Sequence, residues 1–144
     1  MCKKIWLFNI LNIILPLFLG LYIYVLFRKE TYIAVLIQEL TGITFHPWFD
    51  LPSWIEAFLR NYLSDFLWAY SLTFSVSFVL GHTANKAICF AICACTAVLF
   101  ELFQKLNVVQ GTFDIMDIIV ELIAIVLALQ FRKIEEDKKY EENN

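Results

Sequence analysis

Apolar stretches long enough to cross a membrane dominate this chain. The first runs from Ile5 to Phe27 without a charged side chain, and about 20 mostly apolar residues are enough to span a bilayer core. This stretch is too long for the apolar part of a secretory signal, and no small-residue cleavage site follows it. We therefore expect an uncleaved first transmembrane helix, in which Pro16 and Gly20 are tolerated.

Later segments extend this pattern to a bundle. The connection after the first span contains TYIAVLIQEL, which is apolar but too short to cross, so we predict a short interfacial or re-entrant helix there. The predicted fold class is all-α: a polytopic membrane protein with four transmembrane helices in one domain, 1–131, and a charged cytoplasmic tail, 132–144. The three further spans are predicted at 61–80, 87–103 and 113–131.

Composition supports a membrane protein and excludes several other classes. Of the 144 residues, 60% are hydrophobic, against about 45–50% in soluble domains, and the mean hydropathy is +0.69. Lys and Arg are scattered and form no basic patch, so we predict no nucleic-acid partner. Cys89, Cys93 and Cys95 lie in one apolar run, where no neighbouring His completes a zinc pattern, and we interpret them as packing residues. No cofactor is predicted.

The distribution of Lys and Arg predicts the orientation in the membrane. Cytoplasmic loops carry more of these residues than external loops, and four spans put both termini on one side. The terminal side would carry Lys3, Lys4, Lys86, Arg132, Lys133, Lys138 and Lys139, and the other side Arg28, Lys29, Arg60 and Lys105. We therefore predict a multi-pass protein of the inner (plasma) membrane with cytoplasmic termini.

Carboxylates interrupt the spans, and all of them fall near the end of the bundle predicted to face outward. An inverted protein would keep the cluster but present it to the cytoplasm. A carboxylate at the bilayer centre costs about 2.5–3.5 kcal/mol, so it needs a partner, a proton or water, and by default it indicates a functional site. The predicted polar pocket comprises Asp65, Trp68, Tyr70, Glu101, Gln104, Asp114, Asp117 and Glu121.

Helical periodicity predicts that the third and fourth spans pack together. At 100° per residue, the three acids of the fourth span lie within about 60° of each other, and two alanines continue their stripe. Small residues allow membrane helices to approach closely. The predicted contact faces are Ala87, Ala91, Ala94 and Glu101 on the third span, and Asp114, Asp117, Glu121, Ala124 and Ala128 on the fourth.

Simpler roles remain open for several of these residues. Asp114 could only favour the start of its helix, with Thr112 as the N-cap. Glu101 could pair with Lys105, four residues later, and Asp65 could mark the membrane interface. We interpret His46 and His82 as loop residues rather than ligands.

The predicted pocket could serve several functions. It could hold a divalent cation through oxygen ligands, relay protons during solute transport, or bind an amine-bearing or sugar-bearing envelope molecule. The sequence contains no nucleophile elbow, Ser–His or Cys–His arrangement, or phosphate-binding glycine loop. Enzymatic activity is therefore not predicted.

The segment ELFQKLNVVQGTFDIMDIIVELIAIVLAL resembles the signature region of the VanZ-like membrane proteins. In that family a Glu-x-x-Gln ends one helix, and Phe-Asp-x-x-Asp, after an Arg or Gly, opens the next. The earlier stretch SDFLWAYSL is similar to the family's Asp-x-x-His-x-x-x-Tyr, although Trp68 or Ala69 stands where a His is expected, and Glu121 replaces a usual Asn. The positions that match in order and spacing are Glu101, Gln104, Gly111, Phe113, Asp114 and Asp117, and Asp65 and Tyr70 are the nearest counterparts in the earlier stretch.

This resemblance covers roughly residues 63–129 and implies a small bacterial inner-membrane protein. It also implies a link to the cell envelope, because the founding member is associated with resistance to glycopeptide antibiotics of the teicoplanin type. The leading hypothesis is an outward-facing acidic pocket that binds an envelope lipid, glycan or cation. The alternatives are a small oligomeric ion- or proton-coupled transporter and a structural subunit that binds a partner protein.

Overall fold

Every regular element in the described part of the chain is a helix, as the composition predicts. The computed structural model describes residues 3–27, 32–42, 51–81, 85–109 and 111–142; His46 and His82 fall outside these ranges. The helices are α1 (Lys3–Phe27), α2 (Tyr32–Thr41), α3 (Ser53–Phe58), a π-helical segment (Leu59–Leu63), α4 (Ser64–Leu80), α5 (Lys86–Lys105) and α6 (Ile115–Glu142).

Within the described ranges, three helical stretches are long and apolar enough to cross a membrane. They are Trp6–Phe27, Ser53–Leu80, which combines α3, the π-helical segment and α4, and Lys86–Lys105. The fourth predicted span, 113–131, is not confirmed by length and composition. Every 18-residue window within α6 contains at least three charged residues, and the first window contains Asp117, Glu121 and Arg132.

Helix α4 is the centre of the bundle, with α1 packed antiparallel along one side. The ring of Phe8 contacts that of Phe74 at a centroid distance of 6.1 Å, and the Ser71 hydroxyl donates to the Ile13 carbonyl at 2.7 Å. Nearer the other end, a Cβ on Gly20 would lie only 3.4 Å from the Ser64 carbonyl oxygen. Glycine therefore allows α1 to approach the start of α4 closely.

The core lies between α4, α5 and α6, where small side chains meet. Ala124 and Ala128 of α6 are fully buried, as their stripe predicts. The predicted face of α5 is confirmed at Glu101, which is buried, but wrong at Ala87 and Ala91, which are exposed. Cysteine packs as a small apolar residue, and Cys89, Cys93 and Ala97 form the rest of the buried face.

Arg132 of α6 is hydrogen-bonded to the C-terminal end of α4. Its Nη2 atom donates to the Gly81 carbonyl at 2.9 Å, and Gly81 ends α4 with a φ of 83°, a conformation that favours glycine. The predicted charged tail begins at Arg132, yet this side chain is buried in the bundle. Helix α6 therefore runs parallel to α4 along the whole length of α4.

Candidate functional site

A cavity of about 490 Å³ lies where α4 and α6 begin and α5 ends. Six of the eight residues predicted for the pocket line it, namely Asp65, Trp68, Glu101, Gln104, Asp117 and Glu121. The remaining lining residues come from α1, from the start of α4, from α5 and from the loop before α6. They are Leu17, Gly20, Leu21, Tyr24, Ser64, Phe100, Val109, Gly111 and Thr112.

A tight reversal after α5 brings the acids of two helices together. The backbone N–H groups of Leu106 and Asn107 donate to carbonyls in the last turn of α5, and Asn107 has a left-handed φ of 57°. This conformation ends the helix, because it breaks the regular hydrogen-bond pattern. The chain then returns beside α5, so the start of α6 faces the end of α5.

Glu101 joins the end of α5 to the start of α6. Its Oε2 atom accepts a hydrogen bond from the backbone N–H of Asp114 at 3.0 Å, and its side chain is only 4% exposed. The pairing with Lys105 that was open as an alternative is not observed; the Lys105 Nζ atom lies over the Phe113 ring, 5.1 Å from its centre. Glu101 therefore supports the fold of the loop as well as lining the cavity.

Asp114 caps α6 and does not line the cavity. Its Oδ1 atom accepts a hydrogen bond from the Met116 backbone N–H at 2.9 Å, the contact typical of an N-cap. The prediction of Thr112 as the cap is wrong, since Thr112 lies two residues earlier and lines the cavity. This geometry agrees with the simpler of the two roles open for Asp114.

Tyr70 also lies outside the cavity. Its hydroxyl donates to Asn12 Oδ1 of α1 at 2.9 Å, and its ring contacts Phe74 at a centroid distance of 5.1 Å. Trp68, two residues earlier, points instead to the cavity and contacts Phe100 at 5.5 Å. Tyr70 therefore contacts α1, whereas Trp68 lies on the side of α4 that faces the cavity and α5.

Two buried polar atoms of the cavity have no hydrogen-bond partner. They are Glu121 Oε2 and Ser64 Oγ, and each residue is 6% exposed. Because buried polar groups are nearly always hydrogen-bonded, a ligand in the cavity would gain a favourable bond if either side chain turned toward it. Ser64 was not predicted, although its position directly before Asp65 and four residues before Trp68 could have suggested it.

The cavity is strongly acidic. Four carboxylates line it, and no Lys, Arg or His is among the described lining residues. Glu121 lies within electrostatic range of Asp65, Glu101 and Asp117, and like charges in an apolar surrounding repel each other strongly. Protons or a positively charged partner would offset this charge. Within the described ranges, no group of three or more acids, His or Cys has the geometry of a metal site.

Gly111 makes room for Gln104 at the rim of the cavity. A Cβ at Gly111 would lie 2.6 Å from Gln104 Cδ and Oε1, and its φ of +151° is one that other residues rarely adopt. The glycine therefore determines where the amide of Gln104 can lie.

We expect Gly111→Ala to displace the Gln104 amide and to destabilise the loop by about 1–2 kcal/mol. Thermal unfolding in detergent measures this loss, and Gly111→Ala in a Gln104→Ala background is the matched control because it keeps the backbone strain and removes the contact with Gln104. Equal losses in both backgrounds would mean that backbone strain alone accounts for the effect and that contact with Gln104 contributes nothing.

Comparison with known proteins gives no relative for this chain. No protein-family model matches it, and neither does any curated protein or solved structure. The VanZ-like resemblance therefore depends on the motif from Glu101 to Asp117 and stays a prediction.

Proposed function

We propose that this protein is a four-span membrane protein that binds an amine-bearing component of the cell envelope in the acidic cavity. One observation carries the proposal: Glu121, which is 6% exposed and has a buried carboxylate oxygen without a partner, lines a cavity together with three further carboxylates. A primary ammonium has three hydrogen-bond donors and a positive charge. It could therefore satisfy Glu121 and Ser64 and offset the repulsion among the acids.

The proposal treats α6 as the fourth span although its composition alone does not qualify it. Asp117 and Glu121 turn toward the cavity and Arg132 toward α4, so these charges avoid the lipid. The outward face is apolar, with exposed Ile115, Ile119, Ile123 and Val126. From Ile115 to Arg132 the helix extends about 27 Å at about 1.5 Å per residue, close to the bilayer core of about 30 Å.

The size and shape of the cavity suit an organic ligand. Sites for small molecules usually occupy about 300–1,000 Å³ and combine apolar walls with a few polar groups, and this cavity, at about 490 Å³, has both. Trp68 adds an aromatic face, which attracts cations. These properties support an organic cation over a bare metal ion.

Binding fits the described part of the chain better than transport by a single copy. Beyond the cavity, the interior is filled by fully buried Phe74, Cys89, Cys93 and Ile125. A solute route through the described helices of one copy would have to displace this core. The transporter alternative therefore requires an interface between copies, which nothing in a single chain supports.

The choice of an envelope component follows from two predictions made from the sequence. The VanZ-like motif implies an envelope role, and the distribution of Lys and Arg predicts that the cavity end faces outward. An envelope molecule would reach an outward-facing cavity without crossing the membrane.

We expect Glu121→Gln to weaken the binding of n-butylamine about tenfold or more, because it removes a charge-assisted hydrogen bond. Isothermal titration calorimetry on detergent-solubilised protein measures the change. Glu56→Gln is the matched control, since Glu56 is exposed on α3 and does not line the cavity. If wild-type protein binds no amine, or if Glu121→Gln binds as tightly as Glu56→Gln, the proposal fails.

A further inference from the structure

We infer that the ligand is a membrane amphiphile whose headgroup has a net positive charge and whose apolar chain leaves the cavity sideways, between α1 and α5, into the lipid. This inference rests on the proposed function and adds the class of ligand and its route. It depends on the gap between two helices and on the exposure of the side chains at its edges.

Two of the described helices that line the cavity do not pack against each other. Helix α1 packs along α4 and the π-helical segment, and no comparable packing joins it to α5 or α6. Nevertheless α1 and α5 both contribute to the cavity wall. Since the described parts of these two helices do not pack together, we place the exit for an apolar chain between them, on the side away from α4.

Side chains at the edges of this exit face both the cavity and the surroundings. Leu17 and Leu21 of α1 line the cavity and are still 46% and 45% exposed. On the α5 side, Phe100 also lines the cavity and is 42% exposed. An apolar chain lying between these edges would cover them, as apolar surface prefers contact with apolar groups.

The walls of the cavity differ in chemistry. The carboxylates come from α4, α5 and α6, whereas α1 contributes Leu17, Gly20, Leu21 and Tyr24. A small soluble cation would use the acidic wall and leave the apolar wall bare. An amphiphile matches both walls at once, with its charged group at the acids and its chain against α1.

Charge restricts the headgroup further. Phosphate beside the ammonium of an ordinary zwitterionic phospholipid would lie close to four carboxylates, and this like-charge contact is unfavourable. The headgroup class is therefore an amine without an adjacent anion, such as an aminoacyl ester, an amino sugar or a simple long-chain amine. The ammonium would lie among the carboxylates of the cavity, of which Glu121 is the one with an unpartnered oxygen.

The test compares two probes and two substitutions in nanodiscs of neutral lipid. Binding of radiolabelled n-decylamine and n-butylamine is measured at equilibrium, after subtraction of empty nanodiscs. Leu21→Phe adds bulk at the exit, and Leu19→Phe is the matched control, since Leu19 is 44% exposed and does not line the cavity. Leu21→Phe is expected to weaken decylamine binding about fourfold or more, the effect of one methylene group losing contact.

The expected pattern is that Leu21→Phe weakens decylamine only and that Leu19→Phe changes neither probe. If both amines bind and Leu21→Phe affects neither, the ligand is a soluble cation and this inference fails while the proposed function stands. If Leu21→Phe weakens both amines equally, it only shrinks the cavity, and the sideways route is wrong. If wild-type protein binds neither amine, the inference and the proposed function fail together.

Discussion

Replacing Glu101 with alanine is expected to lower the free energy of unfolding by about 1.5–3 kcal/mol. The substitution removes the acceptor for the Asp114 backbone N–H and therefore the link between the end of α5 and the start of α6. It also removes one of the four carboxylates of the cavity. Stability is measured by chemical unfolding in a detergent in which wild-type protein refolds.

Glu101→Gln separates the two roles of this residue. The amide oxygen of glutamine can still accept from Asp114, so we expect most of the stability to remain. The negative charge is lost, so butylamine binding is expected to weaken about tenfold. Equal stability of the alanine and glutamine variants would contradict the structural role, and unchanged amine binding by the glutamine variant would contradict the role of its charge.

Arg132→Ala is expected to have the second large effect, a loss of about 1.5–3 kcal/mol in the free energy of unfolding. Its guanidinium donates to the Gly81 carbonyl at the C-terminal end of α4, where a helix favours positive charge. The side chain is buried, so its removal also leaves space between α4 and α6. Chemical unfolding in the same detergent measures the loss.

The control for Arg132 is Gln130→Ala, since Gln130 is exposed on the same helix. Amine binding provides a second readout, because Arg132 lies at the opposite end of α4 from the cavity. We expect binding to change less than twofold in the part of the population that stays folded. Equal stability of the Arg132 and Gln130 variants would show that the contact with Gly81 contributes nothing to stability.

The convergence of the acids could be predicted because it depends only on chain direction. Asp65 is near the start of one long helix, Glu101 near the end of the next, and Asp117 near the start of the last. Helices that alternate in direction bring these points to one end of a bundle. No knowledge of side-chain orientation was required, and six of the eight predicted pocket residues line one cavity.

The remaining parts of the site depend on detail that a residue pattern does not contain. Asp114 and Asp117 are three residues apart, and a regular helix would place both on one face. Asp114 instead lies just before α6: its backbone N–H donates to Glu101, and its carboxylate accepts from the Met116 N–H as the helix cap. The residues that α1 contributes to the cavity could not be predicted from charged side chains, since they are Leu, Gly and Tyr. On α5, alanines and cysteines of similar size lie on different faces, and the sequence pattern does not show which face is buried. The buried face is the one with the cysteines.

The π-helical segment Leu59–Leu63 affects how the sequence around this site can change in evolution. A π turn contains one residue more than the α-helical turn it replaces. The π turn of this protein lies directly before Ser64 and Asp65 of the cavity wall. Loss of that extra residue would restore a regular helix and rotate α3 by about 100° relative to α4. The π-helical segment therefore makes the orientation of α3 independent of that of α4. Helix α3, which has no buried residues, can change in evolution while α4 keeps the side chains of the cavity wall in place.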